Sequence, residues 1–194
     1  MRKLYFSATV LVAIAVCGTS ALAQGQSTAL VEALSQIRSG LPSAGFKVID
    51  FTNPDRGRQT DIRTFRPLVL DSCTIQIEMT QDTTVPWRER SYVSRTIYTI
   101  PLDKIDFKRI RVNWRDVKLI TVILATIGRQ KTISAVSVVT PKYKAGAKET
   151  NPHRFDHNLD SVFIDFEDKK AAQNMASAFA EASRLCSTPE RQER

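Results

Sequence analysis

Glycine is scarce in this sequence, with seven among 194 residues. None gathers into the Gly-rich turn that cradles phosphate ahead of a helix, which removes the common nucleotide-binding loops. Histidine is scarcer still: His153 and His157 stand alone. Neither has a recognisable Ser or Cys partner, and the Gly-x-Ser-x-Gly nucleophile turn is absent. Paired acids for glycoside chemistry meet in space and leave no mark in sequence. Without visible catalytic machinery, the chain reads as non-catalytic and free of a cofactor. Long apolar runs are missing beyond the first 23 residues. The longest later stretch, 117–127, is interrupted by Lys118, Thr121 and Thr126 and reads as a strand, so no transmembrane segment is expected downstream of the leader.

What is present begins at the N-terminus. Arg2 and Lys3 precede an apolar run of 13 residues, Leu4 to Val16, followed by Gly18-Thr19-Ser20 and the small-x-small triplet Ala21-Leu22-Ala23. Charged, then apolar, then small and cleavable is the order of a secretory signal peptide. Cleavage after Ala23 would leave residues 24–194 as a single domain in the periplasm or outside the cell. Ile14-Ala15-Val16-Cys17 resembles a lipobox, but Val16 is bulky where a small residue is needed, which favours the Ala23 site. Losing Arg2 and Lys3 from 28 basic residues leaves 26 against 20 acidic ones, a net charge of +6. Such a balance gives a solvated basic surface or draws an anionic partner. Export makes that partner an envelope protein or an anionic polymer, and takes nucleic acid away.

Periodicity orders the rest of the chain. Ser27 can cap a helix in which Leu30, Leu34, Ile37 and Leu41 form one apolar stripe, ended by Gly40 and Pro42. From Phe46 to Asp165 the pattern is that of strands. Phe46–Phe51 closes at Asn53-Pro54-Asp55 and Gly57. Phe65–Met79 carries Pro67, which confines that part to an edge or a bulge. Gln81–Glu89 reads as a polar connector, and Tyr92–Ile100 as the hairpin partner of the preceding strand. Phe107–Trp114 follows. Strands over 118–127 and 131–139 flank Gly128-Arg129-Gln130 as a second hairpin, and the last strand is Val162–Phe166. A helix over 168–186 closes the pattern, with Ala172, Met175, Phe179, Ala182 and Cys186 on one stripe.

Once Cys17 leaves with the leader, Cys73 and Cys186 remain. Cys73 lies on the face of Ile75, Ile77 and Met79, and Cys186 on the apolar stripe of the last helix. Two independent periodicities thus turn both thiols inward, and export supplies the oxidising compartment, so a Cys73–Cys186 disulfide is expected. The chain-entropy model gives roughly 4–5 kcal/mol for so long a loop.

Three surfaces could do the binding. Trp87, Arg88 and Arg90 sit together in a hairpin loop, where an aromatic beside two guanidinium groups could grip an anionic or polymeric ligand. Lys142, Tyr143 and Lys144 lie in a patternless segment over 140–159, and long structureless loops inside domains are functional or disordered. Arg109, Arg111 and Arg115 form a third basic cluster, partly neutralised by Asp106 and Asp116. His153 and His157 are four apart; on a helix they would share a face and could hold a metal. Asn151-Pro152 ahead of them argues for a loop, and exposed loop histidines are the plain alternative.

The element order, about seven strands closed by one amphipathic helix, resembles a pleckstrin-homology-like antiparallel barrel over Phe46–Cys186. The passage Ile97-Tyr98-Thr99-Ile100-Pro101-Leu102-Asp103-Lys104-Ile105 is similar to a strand-then-Leu-x-x-Ile segment of such barrels. The resemblance implies a mainly β fold whose C-terminal helix plugs one barrel end, to which this chain adds a short N-terminal helix. Phosphoinositide-binding members carry a Lys before the first hairpin loop and an Arg pair after it. Arg88 and Arg90 match the pair, whereas Glu78 and Gln81 stand where the Lys belongs, which takes that ligand away. A lipocalin-like barrel is the alternative, though no Gly-x-Trp passage opens its first strand. The first reading makes the protein a secreted interaction or scaffold module, the second a carrier of a small apolar ligand.

Overall fold

The computed structural model describes residues 18–50, 59–70, 72–84, 91–116, 119–142 and 151–187. Trp87, Arg88, Arg90, Tyr143 and Lys144 lie outside the described residues, as does nearly all of the leader. Helix α1 spans Gly18–Gly40 and so begins upstream of Ser27. Nine strands follow: β1 Gly45–Asp50, β2 Gln59–Leu70, β3 Thr74–Thr84, β4 Ser91–Pro101, β5 Arg111–Asp116, β6 Leu119–Ala125, β7 Ile133–Lys142, β8 His153–Leu159 and β9 Ser161–Phe166. Helix α2, Lys169–Cys186, closes the order. No helix among the described residues is long and apolar enough to cross a membrane.

The chain is mainly β with two helices, and its strands form two antiparallel sheets. Six strands run β1-β2-β3-β4-β7-β8, and three run β5-β6-β9. The sheets are not closed into a barrel, which corrects both the pleckstrin-like and the lipocalin-like expectation of closure. The reason lies between β4 and β7. Two 3-10 turns, Leu102–Lys104 and Phe107–Arg109, lead the chain away from the large sheet. Leu102 and Ile105 are buried there, so β5 and β6 build a second sheet and β7 returns to pair with β4. β8 then adds beyond β7, which leaves β1 and β8 at opposite edges.

That route corrects several local expectations. Residues 118–127 and 131–139 do not form a hairpin, because β6 and β7 belong to different sheets and the turn Ile127–Arg129 carries the chain between them. The described part of the patternless segment over 140–159 is mostly strand, since β7 runs to Lys142 and β8, His153–Leu159, pairs with it. His153 and His157 therefore lie on a strand, not in a loop. Phe65–Met79 is two strands turning beside Cys73, with a register shift between Pro67 and Val69. β3 continues through Gln81 to Thr84, where Thr83 faces Tyr92 of β4. Phe107–Arg109 is a 3-10 turn ahead of β5.

The core gathers at one end of the large sheet. Phe65, Ile75, Ile77, Ile100 and Ile133 share its inner face and are buried. Helix α2 brings Ala172, Met175, Ala178, Phe179 and Ala182 against β6, β9 and α1. Alanine at three of those positions lets the helix lie close to its neighbours. Asp168 caps it, its side chain accepting from the Ala171 amide at 2.7 Å. The α1–α2 approach is tightest at Gly40, where a Cβ would stand 2.8 Å from Met175 Cε. Cys73 and Cys186 are joined in a disulfide with Cα atoms 5.6 Å apart. The bond ties the last turn of α2 to the β2–β3 turn, whose Cys73 carbonyl also accepts from the Leu102 amide at 2.7 Å.

Candidate functional site

Of the first two surfaces that the sequence singled out and the histidine pair, only Lys142, His153 and His157 are described; Arg109 and Arg111 of the third surface are described as well. Lys142 pairs with Asp82 across the large sheet. Both partners are well exposed, so the pair contributes little. His153 and His157 are exposed on β8 and share its inner face, because His157 is registered opposite Ala135 and Phe155 opposite Ser137. Strand rise separates the two histidine Cα atoms by about 13 Å. No group of three or more metal-ligating side chains occurs among the described residues.

A basic cleft stands elsewhere, built by three local devices. The Asp106 carboxylate accepts from the Lys108 amide at 3.2 Å and shapes the 107–109 turn, which presents Lys108 and Arg109. The Asp106 amide donates to the Ala125 carbonyl at 2.9 Å, holding that turn to β6. Next, Arg111 opens β5 opposite Ile123, and Ile123 lies opposite Phe163 of β9. These three form a row on the face opposite to Val122, Leu124, Val162 and Ile164, which enter the core. The third device is the corner between β6 and β7. Gly128 and Arg129 adopt left-handed backbone, φ 62° and 55°. For an arginine that conformation costs on the order of 1 kcal/mol. Thr126 pins the corner, its amide donating to the Asp160 carbonyl at 2.9 Å and its hydroxyl lying 2.6 Å from the Gln130 carbonyl.

The result is an open cleft of about 450 Å³ lined by Lys108, Arg109, Arg111 and Arg129, with Asp160 as its one acid. Ile123, Ala125 and the half-exposed Phe163 give it an apolar wall. Arg109 is partly spent on Asp106 at 3.4 Å. Among the described residues, Lys108, Arg111 and Arg129 enter no ion pair. Guanidinium forks suit carboxylate, sulfate or phosphate oxygens, and the apolar wall suits the carbon frame behind them. Arg109 and Arg111 were visible in sequence as a basic cluster. Arg129, Asp160 and Phe163 were not. The one local sign at Arg129 is its left-handed backbone, which only coordinates reveal.

A second, neutral lobe adjoins the first and shares Asp160, Ser161 and Phe163 with it; Arg63, Met79, Gln81, Tyr98 and Leu159 complete its lining. Burial pushes the Tyr98 hydroxyl above its ordinary pKa. Behind this lobe the two sheets are fastened by charge. Arg63 of β2 donates to the buried Asp165 of β9 at 3.3 Å, and Thr121 of β6 donates to the same carboxylate at 2.7 Å. Asp61 accepts from Gln81 at 3.0 Å and from Arg63 at 3.5 Å, and the Arg63 guanidinium lies 4.8 Å from the Phe46 ring centroid. This network positions both lobes by fixing the angle between sheets.

The outer face of the large sheet carries a separate cluster, Arg66, Glu78 and Arg95. Glu78 is only 3% exposed, covered by the two arginines that flank it. Burial pushes its carboxyl up, but the hydrogen bonds from Arg66 and Arg95 and their charges outweigh that and hold it below the usual carboxylate range. With both cations engaged on one acid, the cluster reads as sheet cross-bracing. The cleft is the better binding site. No protein-family model, no curated protein and no solved structure matches this chain.

Proposed function

We propose that this protein is an exported, non-catalytic binding module whose basic cleft takes an anionic polymer of the cell envelope. The observation that carries the reading is the convergence of Lys108, Arg109, Arg111 and Arg129 on one cleft that holds a single acid. Export rests on the charged, apolar and cleavable order of residues 1–23. Of the pleckstrin-like resemblance, the reading keeps the element order, strands closed by one packed helix; kinship of fold would carry no function in any case.

Titration with polyphosphate or polyglutamate as probe tests the reading. Binding should weaken with salt, as polyanion contacts do. Arg111→Ala combined with Arg129→Gly should weaken it at least tenfold, since hydrogen bonds to charged groups are worth about 1.5–3 kcal/mol each. Glycine is chosen at position 129 because it keeps the left-handed turn without strain. Unchanged affinity in the double variant, with an unchanged melting temperature, would discard the cleft. Capture of an acidic envelope protein in place of either polymer would change the partner class.

The neutral lobe favours a second reading, a carrier of a small apolar ligand, because Met79, Tyr98, Leu159 and Phe163 line it together. A fluorescent fatty-acid probe displaced by Leu159→Arg, and not by the cleft variants, would favour the carrier.

A further inference from the structure

The two edges of the large sheet are treated differently. At the β1 edge the Lys47 amide donates to the Glu167 carboxylate at 3.0 Å, so the strand is partly capped from the end of β9. At the other edge, no described strand pairs with the side of β8 that faces away from β7. β8 carries no proline, lysine or bulge, and of the usual devices that blunt an edge it has only the charges of Arg154 and Asp156, which are opposite in sign. It exposes Phe155, whose ring stacks on His157 with centroids 6.3 Å apart.

The sequence of this edge reads His153-Arg154-Phe155-Asp156-His157, symmetric in residue class about Phe155 except that the charges are opposite. Arg154 and Asp156 share the outer face and lie 3.2 Å apart. When an antiparallel strand pairs with a copy of itself about a two-fold axis normal to the sheet, each residue faces the one equidistant from the centre. Centring on Arg154 sets arginine against arginine, and centring on Asp156 sets aspartate against aspartate. Centring on Phe155 sets Arg154 of each copy against Asp156 of the other and brings the two exposed Phe155 rings together. Opposite charges directly across such a pair stabilise it, and like charges oppose it.

We propose that β8 is a homodimer edge: two copies of this chain pair antiparallel about Phe155, joining their six-stranded sheets into one. The occupant is a second copy because the strand is complementary to itself in charge. The surface is remote in sequence from the cleft cations, so the proposal stands independently of the polymer reading.

Sedimentation equilibrium of the purified protein tests it. The wild-type protein should show twice the chain mass. Arg154→Asp alone and Asp156→Arg alone should each shift it to the monomer while keeping the wild-type circular dichroism spectrum, because both side chains are well exposed. Any fall in melting temperature should be no more than the lost association accounts for. An equimolar mixture of these two variants should regain the dimer mass, since each then supplies the charge that the other needs. The cleft variant with Arg111→Ala and Arg129→Gly should stay dimeric. A monomeric wild type, a dimer that survives either single reversal, or a mixture that stays monomeric would each overturn the proposal.

Discussion

The inner face of the large sheet is two different surfaces on the same strands. At one end Phe65, Ile75, Ile77, Ile100 and Ile133 are buried under helices, and the disulfide locks α2 over them. Two and four residues from Phe65 along β2, and four and six beyond Ile77 along β3, the inward positions become Arg63, Asp61, Gln81 and Thr83. On β4 and β7 they become Thr96 and Ser137, whose hydroxyls meet at 2.8 Å. Strand alternation is the same throughout, but the content changes from apolar to polar where the helical cover ends. One end thus supplies stability, and the other supplies the network and part of the neutral lobe, whereas the basic cleft lies on the outward face of the small sheet. Binding groups can be strained and charged on that outward face because Val122, Leu124, Val162 and Ile164 enter the core from the other side of the small sheet.

Three experiments would break or sharpen this contrast. The largest effect belongs to the clad end. Replacing both Cys73 and Cys186 with Ser should cost roughly 4 kcal/mol through the freed unfolded chain. Urea unfolding would show the lower midpoint, while binding measured well below that midpoint should persist. An unshifted midpoint would mean that the bond does not clamp the helix.

The next effect lies at the junction of the two ends. Asp165→Ala leaves Arg63 with only its longer contact to Asp61 at 3.5 Å and removes the acceptor of Thr121. Breaking a buried pair costs about 3–5 kcal/mol, and Arg63 is one-third exposed, so about 2 kcal/mol is expected after solvent screening. Here, unlike the disulfide variant, ligand binding should weaken at temperatures where the protein is still folded, because the angle between sheets is released. Loss of stability with binding intact would remove the network from any positioning role.

The smallest effect is on the outer face. Glu78 is held below its ordinary pKa in the folded chain. Its ionised form therefore stabilises the fold fully above the unfolded value of about 4.3, and that stabilisation is lost as pH falls through the depressed folded value. Glu78→Gln should cost about 1 kcal/mol or less at pH 7 and should flatten the acid side of the stability profile. A profile that falls as steeply as before would assign the acid sensitivity to other carboxylates.

Much of the fold was legible because it is written in local periodicity. The α2 stripe from Ala172 to Cys186, the inward face of Cys73, Ile75 and Ile77, and the bulge beside Pro67 all follow from side-chain spacing. The disulfide followed from combining two such spacings. The misreadings share one cause. Gly128 was assigned to a hairpin because a glycine between two strands carries the same local signal whether the strands pair or part. The polar residues of β8 looked like loop because an edge strand with solvent on both faces lacks apolar alternation. Arg109 and Arg111 were recognisable as a cluster, but Arg129 and Phe163 join them only across strand pairings.

The sequence by itself determined a mainly β chain with a helix at each end and the pair of cysteines that meet. Periodicity suffices for that, because it reports which side of each element avoids water. The tertiary structure alone decided that β7 pairs with β4, that the sheets stay open, and that four cations share one cleft. Those outcomes depend on hydrogen bonds and burial between residues far apart in the chain, and no local pattern encodes which distant partner will supply them.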